Sequence, residues 1–311
     1  MRLPEYFKYG EKRPVISFEI FPPKTEGGMK NLEKVLTDLA ALGPDFITVT
    51  YGAMGSTRER TLEIASLIKK RFGVETACHL TCVGASKEGL DAMLSRIHDA
   101  GIENIVAIRG DIPSDGTESA GHPDGYKYGS DLVRHIRQFE ETTLKRKYFG
   151  IAVGGYPEKH AEAPDMETDI RNLKLKVDAG ADIVITQLFF DNALYFDFVE
   201  RARAHGIKTP IVPGLMPILS VRQIERMTSM CGATIPTGLK KKLEACSDDD
   251  EKARSIGIAQ CVEQSKELIE RGAPGIHFYV LNKSEHMKEI VSALPPARST
   301  QTSSRFTANI P

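Results

Sequence analysis

The sequence predicts an α/β fold of one particular kind, a single (β/α)8 barrel with an extra helical segment before the eighth strand. Three observations predict it. Eight short β-rich runs alternate with amphipathic helical stretches along the whole chain, the pattern of a parallel sheet built from βα units. The length, 311 residues with 41% hydrophobic content, suffices for one barrel with its own core. Polar residues in several runs fall late in the run and share a face. An open, doubly wound sheet is the rival arrangement, because it alternates strands and helices in the same way.

The runs, in order, are VISFEIFPP (15–23), FITVTYGA (46–53), ETACHLTCVG (75–84), ENIVAIRGD (103–111), FGIAVGGYP (149–157), DIVITQLFF (182–190), PIVPGLMPI (210–218) and GIHFYVLN (275–282). The first stops at Pro22 and Pro23, which cannot continue a ladder. Helices fill the intervals, as in NLEKVLTDLAALG, where Leu32, Val35, Leu36 and Leu39 form an i, i+3, i+4, i+7 stripe and Gly43 supplies the stop. Two intervals are irregular. IPSDGTESAGHPDGYKY (112–128) reads as a long loop after the fourth run, and residues 231–272 add helix before the eighth. The main domain is expected over residues 1–296, and the polar stretch 297–311 reads as a frayed tail.

Composition excludes several classes of function. With 41 basic and 42 acidic residues, the net charge of −1 gives no field to recruit nucleic acid or an anionic membrane. No window approaches the roughly 20 apolar residues of a membrane span, so a cytoplasmic protein is expected. Five cysteines fit a reducing compartment. Cys78 and Cys82 share a face with Leu80 in the third run and read as buried small residues, and Cys231, Cys246 and Cys261 form no ligand set, so no metal is expected. YGAMGS lacks the G-x-G-x-x-G spacing and no G-x-x-x-x-G-K-[ST] occurs, which removes the two common nucleotide motifs.

Alternation along each strand then sorts the polar residues. Ile16, Phe18 and Ile20 must lie under the helices, so Ser17, Glu19 and Phe21 point into the barrel. The same test groups Thr48 with Thr50, Ala77 with His79 and Thr81, Ala107 with Arg109 and Asp111, and Ile185 with Gln187 and Phe189. Late, inward polar residues from several strands converge on the mouth of a barrel, where this fold carries its chemistry. Each has a plainer reading: Glu19 as the ion-pair partner of Arg109, His79 as a core histidine, Asp111 as a turn residue, Lys176 as a cation near a helix C-terminus.

SFEIFPPKTE, VTYGAMGSTRERT, CHLTCVG, NIVAIRGDIP, GGYPEKH, LKLKVDAGADIVITQLFFD and HFYVLNKSE, in this order, resemble the 5,10-methylenetetrahydrofolate reductases of the bacterial, catalytic-domain-only type, over about residues 12–293. The resemblance implies a FAD-containing TIM barrel, a homo-oligomer without the eukaryotic regulatory domain. It would pass hydride from NADH or NADPH to 5,10-methylenetetrahydrofolate in a ping-pong scheme. It casts Glu19 as the general acid that opens the imidazolidine ring, a carboxyl that keeps its proton in a partly dry pocket. Asp111 would lie near the flavin and hydrogen-bond the pterin; Gln187 would contact folate and nicotinamide, and Thr50 the nicotinamide. FAD would meet Tyr51, His79, Arg109, Gly110, Asp111, Tyr128, Gly129, Tyr156, His160, Asp169, Asn172 and Lys176, and folate would also meet Gln223 and Lys283.

The chain departs from the family pattern at Leu175, where some members place an Arg, at Lys283, where an Arg is common, at Met227, which is aromatic in some members, and at Met54, a usually small turn position. Lys283 replaces a planar fork with a point charge. Two other readings share the barrel: a related FAD enzyme acting on an amino acid such as proline, and a flavin-free partner subunit.

Overall fold

Strands buried on both faces need apolar residues on both, and the eight runs supply them. The computed structural model describes residues 1–7, 13–51, 58–110 and 122–294. Each run forms a strand, shorter than the run: β1 (Val15–Ile20), β2 (Phe46–Val49), β3 (Glu75–Thr81), β4 (Asn104–Ile108), β5 (Gly150–Gly155), β6 (Ile183–Leu188), β7 (Ile211–Leu215) and β8 (Gly275–Tyr279). They pair in parallel in sequence order, and β8 returns to β1 in register from Val15↔Gly275 to Glu19↔Tyr279. That last pairing closes the barrel and rules out the open sheet.

The helices α1 (Glu26–Ala41), α2 (Arg58–Leu67), α3 (Lys87–Asp99), α4 (Gly129–Phe139), α5 (Met166–Asp178), α6 (Asn192–Ala204) and α7 (Val221–Cys231) follow strands one to seven. Leu32, Val35, Leu36 and Leu39 of α1 are buried with Ile16, Phe18 and Ile20 in one outer core, as the stripe requires. The extra segment before β8 is two helices, α8 (Thr237–Glu244) and α9 (Asp250–Glu270), and α10 (Met287–Ser292) follows β8. Leu239 and Leu243 of α8 join Val221 and Ile224 of α7 in a satellite core. A Cβ at Gly257 would collide with the Ile218 carbonyl, so glycine lets α9 press against the chain leading into α7.

The barrel interior is a second core: Val15, Phe46, Ala77, Val106, Ala152, Ile183 and Ile185. Its N-terminal end is plugged by a 3₁₀ turn, Leu3–Phe7, that no periodicity announced. Leu3 is fully buried in this layer, worth about 1.5–3 kcal/mol. Its backbone N–H donates to Asn104 Oδ1 at 2.7 Å, and Tyr6 donates to the Asp45 carbonyl at 2.9 Å.

The interior corrects the alternation argument in two strands. In β4 the inward positions are Val106 and Ile108, while Ile105 and Ala107 lie in the outer core. Arg109 and Gly110 come after β4, and a left-handed turn at Gly110, φ 90°, redirects the chain. In β6 the pairing with β7 slips between Ile185 and Leu188, so Phe189 ends in the outer core, stacked on Tyr195. Asp111, Met54 and the tail from residue 295 lie outside the described residues, as does most of the loop 112–128. Among the described residues no helix is long and apolar enough to cross a membrane, and no group of three His, Cys, Asp or Glu could hold a metal.

Candidate active site

Glu19 sits at the penultimate position of β1, facing inward where β2, β3 and β8 offer it polar side chains. Thr48 Oγ1 donates to Glu19 Oε2 at 3.0 Å. His79 Nε2 stands 3.0 Å from the same oxygen, a close contact without hydrogen-bond alignment. His277 Nε2 lies 3.5 Å from it, and Ser17 Oγ meets His277 Nδ1 at 2.8 Å. Burial raises the Glu19 pKa, but His79 and His277 outweigh it and hold the carboxyl well below the usual range. This reverses the expectation that the dry pocket alone keeps the proton on Glu19. Nor is Glu19 the partner of Arg109, which grips Glu162 through two bonds of 2.5 and 2.6 Å.

Sequence reasoning overlooked His277 and Tyr279. The alternation test applied to β8 would have found both, since Ile276 and Phe278 take the outer core and leave Gly275, His277 and Tyr279 facing inward.

A second group lies at the C-terminal ends of β4 and β5. The N-terminus of α4 begins at Gly129 with no side-chain cap on Tyr128. A Cβ at Gly129 would stand 3.8 Å from Arg109 N and 3.9 Å from Lys176 Cδ, so all three meet in one place. Lys176 comes from α5, where Asp169, Asn172 and Lys176 recur at i, i+3 and i+7. Its Nζ donates to the Gly154 carbonyl at 2.7 Å and lies 5.6 Å from the Tyr156 ring centroid. It is therefore more than a cation at a helix end. Burial lowers the Lys176 pKa to about 8 despite Asp169. Asp169 accepts from His160 N at 3.1 Å, and burial raises its carboxyl. The His160 ring packs edge-on against Tyr156, 4.7 Å between centroids. An uncapped helix N-terminus beside Lys176 and Arg109 is a donor set suited to a diphosphate, so these residues fit FAD.

The remaining candidates ring the mouth. Thr50 follows β2, its N–H bonded to the Ile20 carbonyl and its own carbonyl accepting from Thr61. Tyr51 packs on the outer core. Gln187 lies in β6, and Gln223 lies in the first turn of α7 with its Oε1 accepting from Leu219 N and its buried Nε2 unpaired. Lys283 is exposed just after β8. Its approach is strained: Leu281 and Asn282 are both left-handed, φ 50° and 54°, and the Asn282 amide pairs with both backbone groups of Phe21. Met227 packs against the satellite core, and Leu175 is exposed on α5.

The fold and this site together define a TIM barrel with a carboxylate–histidine cluster at the C-terminal mouth, next to a buried lysine and an uncapped helix N-terminus. The chain belongs to the methylenetetrahydrofolate reductase family, whose model matches residues 5–295. It is 41% identical over 275 residues to a relative from Arabidopsis thaliana named "Methylenetetrahydrofolate reductase (NADH) 1", covering 86% of this chain and 46% of that one. It is 37% identical over 270 residues to a "5,10-methylenetetrahydrofolate reductase" of Escherichia coli, covering 87% of each. The chain thus spans about half the length of the plant relatives and most of the bacterial ones. A solved structure from Clostridium thermocellum, described as binding two copies of 5-methyl-5,6,7,8-tetrahydrofolic acid, superposes with a TM-score of 0.61 over 90% of this chain and 93% of that one, at 18% identity. At that identity the likeness concerns the fold.

Proposed function

We propose that this protein reduces 5,10-methylenetetrahydrofolate to 5-methyltetrahydrofolate with NADH or NADPH as hydride donor, as a cytoplasmic homo-oligomer. The observation that carries the reading is Glu19, an acid at the barrel mouth in contact with His79, Thr48 and His277. Family membership gives that acid its substrate class.

FAD, when bound, supplies a hydride carrier between the two substrates. Lys176, Arg109 and the α4 N-terminus would hold its diphosphate, with Gly110, Tyr128 and Gly129 lining the approach and Tyr51, Tyr156, His160, Asp169 and Asn172 around it. The protein's own part in the chemistry is a proton. Opening the imidazolidine ring needs one at the departing nitrogen, and Glu19 delivers it. The carboxyl, held low by His79 and His277, takes up that proton from solvent before donating it, and a ligand that dries the pocket further favours its protonated form because burial raises its pKa. Gln187, Gln223, Lys283 and Asp111 orient the folate, and Gln187 and Thr50 the nicotinamide, so the two substrates use the site in turn.

The test is a visible spectrum of the purified protein, followed anaerobically by NADH and then by methylenetetrahydrofolate. A yellow protein that bleaches with NADH and recovers with the folate meets the proposal. Bleaching without recovery refutes it.

A further inference from the structure

We infer that Tyr279 is a positioning residue for Gln187, acting through a break in the sheet between β6 and β7; the inference rests on the proposed folate reduction. The break begins with Pro213. In the middle of β7 it has no N–H to give, and the register advances three residues in β6, Ile185 to Leu188, against two in β7, Val212 to Gly214. Side chains take over the ladder's work there. Thr186 Oγ1 accepts from Gly214 N at 2.9 Å, and the Tyr279 hydroxyl donates to the Thr186 carbonyl at 2.6 Å. Tyr279 belongs to β8 and reaches β6 across β7 only because Gly214 leaves the way open. A Cβ there would collide with the Thr186 carbonyl and the Tyr279 ring.

The consequence falls on the next residue. Gln187 folds its side chain back so that Oε1 accepts from Leu188 N at 2.9 Å. A backbone N–H can only donate, so it selects the amide oxygen and leaves Nε2 of Gln187 as the group offered to a ligand. Tyr279 thereby fixes both the direction and the polarity of Gln187. The ligand atom it meets must be an acceptor, such as a carbonyl.

A double-mutant cycle tests this. Tyr279→Phe removes one hydroxyl, and kcat/KM for methylenetetrahydrofolate should fall roughly tenfold through misplacement of the donor, with FAD content kept. In a Gln187→Ala background the same change should cost less than about twofold, because Tyr279 then has nothing to position. Equal losses in the two backgrounds would overturn the inference. Hydrogen exchange at the Leu188 amide gives a readout independent of turnover: it should speed up in Tyr279→Phe, and unchanged exchange also overturns the clamp. A wild-type protein inactive with the folate would refute the proposed function, while the exchange result would still decide the clamp. Should Tyr279→Phe fail to fold, Thr186→Val, which removes the other side-chain tie across the break at Gly214 N, goes through the same cycle and exchange measurement, and equal losses in the two backgrounds or unchanged Leu188 exchange would overturn the inference.

Discussion

Ser17 Oγ and His277 Nδ1 stand 2.8 Å apart inside the barrel, and the opposite ring nitrogen of His277 faces Glu19 at 3.5 Å. The two-residue period of β1 puts Ser17 and Glu19 on one face, and β8 brings His277 between them. The ring is fully buried, so Ser17 fixes its orientation toward the carboxylate. Ser17→Ala leaves Nδ1 without this partner, and a stability loss of about 1–3 kcal/mol is expected. Flavin reoxidation by folate should slow, while flavin reduction by NADH stays at the wild-type rate. Stopped-flow measurement of the two half-reactions checks this.

Glu19→Gln keeps the shape and the Thr48 contact but removes the acid. Folate reduction should fall by two to four orders of magnitude, about what a positioned proton donor contributes. Oxidation of NADH by an artificial acceptor should survive. Equal loss in both reactions would remove the acid role.

Lys176 gives a pH dependence whose sign follows from its burial. Its pKa of about 8 lies below the ordinary lysine value, so between pH 8 and 10.5 the unfolded chain carries a proton that the folded one has lost. Stability of the FAD-free protein contributed by this group therefore rises with pH through that window. Affinity for FAD runs the other way, since the cradle loses the Lys176 charge above pH 8. Lys176→Arg, which stays charged, should abolish this decline. Titration of FAD across pH 7–9.5, monitored by flavin fluorescence, reads it.

Asn282 separates two contributions. It pairs with the backbone of Phe21 and tolerates a left-handed φ of 54°. Asn282→Gly loses only the pairing and should cost about 1–2 kcal/mol. Asn282→Ala also strains the backbone, for roughly 1 kcal/mol more. Both should raise KM for the folate by displacing Lys283. Denaturant melts together with steady-state kinetics distinguish the two.

Arg137 binds Glu140, Asp182 and the carbonyls of Phe149 and Gly180, tying α4 to the starts of β5 and β6. Arg137→Met leaves the nearly buried Glu140 without its cation, and about 3–5 kcal/mol should be lost. For a chain this long the melting temperature should drop on the order of 10 °C. Catalysis at low temperature should be unaffected, because the network lies at the opposite end of the barrel from Glu19.

The eight strands, the helices between them, the extra helix before β8 and the inward direction of Glu19 and His79 were all legible in the chain before it folded. These follow from periods of 2 and 3.6 residues, which are local and survive in any environment. The chain also carried the family motifs. Closure was not legible there, because an open sheet needs the same alternation and the pairing of Val15 with Gly275 spans nearly the whole chain. The fold decided that Arg109 bonds Glu162 rather than Glu19, since Arg109 follows the end of β4 and shares the parity of Ile105 and Ala107, which lie in the outer core. It set the charge of Glu19, because a pKa depends on distances to His79 and His277 that no spacing encodes. Pro213 was visible in the sequence throughout. Its effect on Gln187 passes through Gly214 and Tyr279, and those residues meet only when the barrel is closed.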